Sequence, residues 1–215
     1  EEVKKKTREL LKTQHSLIVS LANMVEARDG VTGLHIMYTS AYVEIIARAL
    51  QKVPKYQYIM SDSYVSVLSE AAPLHDIGKI SIPDAILRKE GALTQEEHRI
   101  IQSHPRLGAQ IIDGVLSDVE SNAYLETAKE MASFHHERWD GSGYPYGLEG
   151  EEIPLSARIM SIADVYDALR AERSYKDACS KEEAKEIIVA QSGTHFDPEL
   201  VEVFLSCIEE IEAVK

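Results

Sequence analysis

Cysteine is nearly absent from this chain. Cys179 and Cys207 are the only two in 215 residues, far apart and without the spacing of a zinc site or a redox pair. They read as free thiols of a reducing compartment, which makes a cytoplasmic protein the expectation. Long hydrophobic runs are absent too. Nothing approaches the roughly 20 apolar residues of a membrane span, and no signal-peptide pattern opens the chain. Positive charge is scarce, with 23 Lys and Arg against 36 Asp and Glu and a net charge of −13. That balance argues against a nucleic-acid polymer as partner, which needs a basic footprint. A small anionic ligand stays open, because two or three bound divalent cations reverse the field of an acidic cleft. Also missing are runs of period-two alternation rich in β-branched residues, internal repeats and low-complexity tracts.

What is present reads as helix, and the expected fold class is all-α. Hydrophobic content of 44% and charged content of 27% are those of an ordinary globular protein. The length suits one large domain, or a domain plus an appendage. Opening on Glu1 rather than Met, the chain reads as a piece of something longer. Residues 1–29 form one helix, in which Leu10, Leu17 and Met24 repeat every seven, as do Leu11, Ile18 and Val25, with Leu21 between. That seam is either a parallel dimer contact or the face that docks on the domain. Residues 1–25 are accordingly set apart as a connector from an upstream sensory or receiver domain, or as a homodimer contact, and 26–215 as the domain proper. Further helices are expected over 34–51 and 63–77, the latter apolar and central, with Gly78 letting the chain leave it. A Thr94-Gln-Glu-Glu97 capping box opens one that ends near His104-Pro105, followed by 106–115, 122–137 and 156–170. Ser180-Lys-Glu-Glu183 caps another, ended by Gly193, and Asp197-Pro198 starts the last, to about 213. Between Trp139 and Gly150, four glycines and a proline predict a shaped loop.

The stretch Leu74-His75-Asp76-Ile77-Gly78-Lys79 puts a histidine, an acid and a lysine within six residues. Adjacent imidazole and carboxylate suit a divalent metal. Lys79, four residues after His75, is expected on the same helical face, within reach of whatever the metal holds. Alone, a His-Asp pair is a common coincidence. His104, His135, His136 and Asp164 turn it into a set. Four imidazoles and two carboxylates, one able to bridge, suffice for two transition metals with open positions. Mixed nitrogen and oxygen donors suit iron, manganese or zinc better than magnesium or calcium, and the lack of cysteine ligands argues against structural zinc. His15, His98 and His195 read as ordinary surface or core residues, and Tyr42, Tyr56 and Tyr64 as packing. Asp167, one turn after Asp164, is either an acid that orients a ligand or a plain surface charge.

In their order these residues resemble one family. His75-Asp76-Ile-Gly-Lys79, Ser103-His104-Pro105, and His135-His136-Glu-Arg-Trp-Asp-Gly-Ser-Gly143-Tyr144-Pro145 are similar to the HD-GYP domains, bacterial phosphodiesterases of the HD superfamily. The likeness continues through Ala163-Asp164-Val-Tyr-Asp167, Arg173, Tyr175-Lys176 and Gly193-Thr-His-Phe-Asp-Pro198, covering about residues 26–205. It implies a helical bundle around a buried metal centre that hydrolyses cyclic di-GMP to linear pGpG, with a second cut to GMP left open. It implies metal ligands at His75, Asp76, His104, His135, His136 and Asp164, with Asp76 bridging, and two divalent cations, iron or manganese. By the same likeness Lys79 reaches the scissile phosphate, while Arg173 and Lys176 hold phosphate oxygens. Tyr144, with Trp139 and Tyr146, offers a flat surface for guanine or for a protein partner at the Gly143-Tyr144-Pro145 loop, or else only packs that loop.

Two departures from the family pattern matter. Its three-metal members carry a glutamate four residues before the histidine of a Thr-Gly-x-His segment, and here that position is Val31, ahead of Thr32-Gly33-Leu34-His35. Valine cannot ligate, so two metals are expected, with His35 left on the solvent side or as an incomplete third-site ligand. Arg173 is followed by Ser174 where the family often has proline, which loosens that loop without removing a charge. The competing reading is a weakly active or inactive receptor that binds cyclic di-GMP and signals through partner contacts.

Overall fold

A computed structural model of the chain describes residues 2–29, 34–116, 122–171 and 178–214. Helix α1 (Glu2–Arg28) leads to α2 (Leu34–Leu50) and α3 (Asp62–Ala71). The short α4 (Asp84–Leu87) and α5 (Gln95–Ile101) precede the pair α6 (His104–Leu116) and α7 (Ala123–Phe134). Then come α8 (Leu155–Arg170), α9 (Lys181–Ala190), α10 (Pro198–Ser206) and α11 (Ile208–Glu212). Among the described residues there is no strand, only isolated bridges at Asp140–Glu149 and Ser192–Phe196. The all-α expectation holds.

Helices α2, α3, α7 and α8 touch in a closed ring, α2 on α3, α3 on α7, α7 on α8 and α8 on α2. Their inner faces are apolar: Val43, Ile46 and Leu50, then Val65 and Leu68, then Ala128 and Met131, then Ile159, Met160 and Ile162 are all buried. Tyr42 meets Tyr166 edge-on at 5.6 Å, and Tyr166 meets Phe204 of α10 at 5.2 Å. Each such fully buried side chain contributes about 1.5–3 kcal/mol. The capping boxes at Thr94 and Ser180 and the Asp197 cap before Pro198 are all formed.

Helix α7 ends at Phe134 rather than 137, the helix expected to run to about 213 breaks at Cys207, and two boundaries at prolines also differ from those expected. The helix predicted over 63–77 stops at Ala71 and tightens into a 3₁₀ turn, Ala72–Leu74, then a second one, Ile77–Ser81. Pro73 is the cause, because it has no N–H to donate to the α-helical ladder. At the other boundary His104-Pro105 opens α6 instead of closing α5. A proline in a first turn removes a donor that had no partner anyway.

The heptad seam of α1 divides. Ala22 and Val25 are buried against the domain and Ile18 is half-buried, whereas Leu10, Leu17, Leu21 and Met24 stand 57–68% exposed. Gly78 is not the helix exit it was expected to be. A Cβ there would lie 2.0 Å from His104 O and 2.5 Å from Gly108 N, so glycine is what lets the 77–81 turn lie against α6. Gly78→Ala is therefore expected to destabilise the fold by about 3 kcal/mol in denaturant unfolding. Gly114→Ala, where nothing lies within 4 Å of the added carbon, is expected to be neutral or stabilising by about 0.5–1 kcal/mol.

Candidate metal centre

The helix breaks are where the chemistry-bearing residues sit. His75 and Asp76 lie between the two 3₁₀ turns, His104 starts α6, and His135 caps the end of α7. At each break a backbone carbonyl is available. His75 Nδ1–H donates to Ala72 O at 2.8 Å, His104 Nδ1–H to Ile101 O at 2.7 Å, and His135 Nδ1–H to Met131 O at 2.9 Å. A carbonyl only accepts, so Nδ1 carries the hydrogen in all three rings and Nε2 presents a bare lone pair.

Those lone pairs converge on Asp76. His104 Nε2 is 3.0 Å and His135 Nε2 3.5 Å from Asp76 Oδ1, while His75 Nε2 is 3.3 Å from Asp76 Oδ2. His104 Nε2 and His135 Nε2 face each other at 3.4 Å. His75 Nε2 and Asp76 Oδ1 are buried with no hydrogen-bond partner. Two imidazole lone pairs and a carboxylate oxygen aimed at one point repel each other unless a cation lies among them. This donor set fits a divalent metal.

The donors form two groups. Asp76, His104, His135 and His136 offer atoms within 4.8 Å of one another, and so do His35, His75 and Asp164. The structure thus brings together every ligand expected from the sequence and adds His35 to them. Buried His35 donates Nδ1–H to Asp167 Oδ2 at 2.8 Å, which leaves its Nε2 3.5 Å from Asp164 Oδ1. Asp167 is an orienting acid rather than a surface charge, and the imidazole it orients is His35. His75 Nε2 is 4.0 Å from Asp164 Oδ1, so Asp76 and His75 stand where the two groups meet.

The field matches this geometry. Burial would raise the Asp76 carboxyl, but Lys79 and His75 hold it well below its usual range and ionised. Burial also pushes His136 well down, with His135 and His104 adding to it, and His135 is lowered mainly by its burial. Both are neutral, the form that ligates. For His75, burial works downward but Asp76 and Asp164 outweigh it, and the imidazole is lifted to about 9. A field that favours a proton there favours a cation.

Tyr144 stacks on His136 with centroids 4.8 Å apart, so it belongs to the site rather than only to the loop. Trp139 serves the loop: its backbone N–H donates to His195 O, and the Arg158 guanidinium lies 5.8 Å from its ring. Glu137 went unnoticed in the sequence because a lone glutamate carries no signal. It is buried and accepts the amides of Tyr146, Gly147 and Leu148, which shapes the loop. Lys79 is 2.7 Å from Asp76 Oδ2, through the tight turn rather than along an α-helical face. Glu26 of α1 and Asp29, the residue just past its end, also face it and were not foreseen. Val31, Arg173 and Lys176 lie outside the described residues.

A family model described as "HD domain" matches residues 23–200. The chain belongs to the HD domain family. A Vibrio cholerae protein named "Cyclic di-GMP phosphodiesterase" is 47% identical over 206 residues, covering 96% of this chain and 42% of its own length. A second Vibrio cholerae relative, named "3'3'-cGAMP-specific phosphodiesterase 2", is 42% identical over 96% of this chain and 37% of its own length. The chain thus spans less than half the length of these relatives. The crystal structure of a cyclic GMP-AMP specific phosphodiesterase of Vibrio cholerae superposes with a TM-score of 0.62 at 22% identity, covering 91% of this chain and 48% of that one. That likeness is one of fold. The HD-GYP resemblance drawn from the motifs stands within this family.

Asp167→Ala is expected to weaken metal binding at the His35–His75–Asp164 group about 10–100-fold. Competition with a chelator followed by elemental analysis measures it; equal retention in both proteins would remove His35 from the ligand set.

Proposed function

We propose that the chain is a metal-dependent phosphodiesterase domain that hydrolyses cyclic di-GMP to linear pGpG in bacterial second-messenger signalling. The observation that carries this reading is the pair of donor groups meeting at Asp76. Asp76, His104, His135 and His136 would hold one divalent cation, and His75, Asp164 and His35 the other, with Asp76 shared. Mixed nitrogen and oxygen donors without cysteine favour iron or manganese.

Bound there, the cations supply the Lewis acidity that polarises a phosphoryl oxygen and acidifies water. Hydrolysis adds water across one 3′ O–P bond: hydroxyl goes to phosphorus and a proton to the leaving 3′ oxygen. The chain's own part is to place charge and exclude solvent. The Lys79 ammonium, at the rim of Asp76, donates an N–H to a phosphate oxygen as negative charge builds there. Tyr144, held flat by His136, presents its ring to a guanine. Arg173 and Lys176 bind further phosphate oxygens. With a net charge of −13, the chain needs this local reversal of field to attract an anionic dinucleotide.

The same reading places the domain in the cytoplasm, in keeping with two free thiols and with no described helix long and apolar enough to cross a membrane. Residues 1–25 become the connector to an upstream sensory or receiver domain, or a homodimer contact, and the exposed side of α1 supports either. Exposed Tyr146 keeps a protein partner at the Gly143-Tyr144-Pro145 loop within the reading.

The test is to load the purified protein with manganese or iron and follow cyclic di-GMP and 3'3'-cGAMP by chromatography. Release of pGpG from cyclic di-GMP is expected, with cyclic GMP-AMP the poorer substrate. Binding without turnover under either metal would replace the enzyme with a receptor. Asp76→Ala is expected to lose both metal and at least about 10³ of the rate; full metal occupancy in that variant would show the ligand assignment to be wrong.

A further inference from the structure

We propose that Asp29, at the end of α1, is a positioning residue for Lys79, with Glu26 as an electrostatic partner one turn earlier. The last turn of α1 then belongs to the catalytic apparatus. This inference rests on the phosphodiesterase reading and deepens it.

Lys79 Nζ is 2.7 Å from Asp29 Oδ2, 2.7 Å from Asp76 Oδ2 and 3.6 Å from Glu26 Oε1. An ammonium has three N–H donors. Asp29 accepts one of them, and Asp76 Oδ2 adds an ion pair at 2.7 Å. Glu26 lies beyond hydrogen-bond distance, and both its carboxylate oxygens are buried without a donor. It adds negative field without consuming a hydrogen. A hydrogen bond on one side and an ion pair on the other hold Nζ in place with an N–H to spare, which is left for a phosphate oxygen. A lysine stem has four freely turning carbons, and the tether to Asp29 removes that freedom on folding instead of at substrate binding. Asp76 alone cannot do this, because one contact leaves the ammonium free to pivot.

The placement of Asp29 is itself fixed. Arg28 Nη1–H donates to Ile80 O at 2.9 Å and Nη2–H to Ile82 O at 3.0 Å, and Nη2 is 2.6 Å from Asp84 Oδ1. Ala22 and Val25 are buried below them. The end of α1 is therefore bound both to the backbone of the turn that carries Lys79 and to the Lys79 side chain. Any shift of α1 along its axis moves Asp29 away from Nζ.

The experiment compares Asp29→Ala, Asp29→Glu, Lys79→Ala and the double variant Asp29→Ala/Lys79→Ala in the manganese-loaded full chain. Asp29→Ala is expected to lower kcat for cyclic di-GMP about tenfold or more, with KM and metal content close to those of the parent, and Asp29→Glu to recover part of the loss. In the Lys79→Ala background, adding Asp29→Ala is expected to cost nothing further, because its effect passes through Lys79. Additive losses, or loss of metal in Asp29→Ala, would overturn the proposal. A second readout needs no turnover: labelling with an amine-acylating reagent, followed by peptide mass mapping. Lys79 is expected to react several-fold faster in Asp29→Ala than in the parent. Faster labelling with an inactive parent would keep the tether and reject the phosphodiesterase reading, whereas unchanged labelling would reject the tether itself.

Discussion

Asp76 is a carboxylate at 6% exposure, and its burial sets the terms for what surrounds it. Removing such a group from water costs several kcal/mol even after the protein relaxes, unless positive charge or donors face it. Lys79 supplies one charge at 2.7 Å. His104 and His135 do not complete the compensation, because each has given its Nδ1–H to a backbone carbonyl and turns a lone pair inward, and His75 adds charge only by taking a proton on the nitrogen that would face a metal. The centre is therefore built around positive charge that side chains alone do not provide. On the proposed reading, a pair of cations sharing Asp76 would resolve this.

The fold meets that demand through its irregular points. A continuous helix from 63 to 77 would commit the Ala72 carbonyl to its own ladder. Pro73 breaks that ladder, and Ala72 O takes both the amide and the ring of His75. The end of α5 takes the ring of His104 in this way, and Met131 O in the last turn of α7 takes both the amide and the ring of His135. Gly78 then allows the turn to lie against α6, so that residues 29 positions apart in sequence meet at one carboxylate. The regular helices supply the core, and their interruptions supply the ligands.

The fold class and the six residues that the structure brings together were legible in the sequence because histidine and acidic residues beside apolar runs are conspicuous, and caps such as Thr94 and Asp197 follow local rules. His35 was legible only as a neighbour, since its place beside His75 and Asp164 depends on α2 lying against α8. Glu26 and Asp29 were missed for a similar reason. Acids near the end of an amphipathic helix look like solvated charges, and only the docking of α1 turns them toward Lys79. The reason for Gly78 was misread because a close approach by another helix leaves no trace in the glycine's own neighbours. Helix boundaries at Pro73 and Pro105 shifted because proline tightens or starts a helix as readily as it ends one.

The sharing of Asp76 between two cations is the claim on which the site depends, and electron paramagnetic resonance of the manganese-loaded chain tests it most directly. The account predicts two equivalents per chain giving the spectrum of an exchange-coupled pair. A single equivalent, or two signals that behave as independent ions, would contradict it.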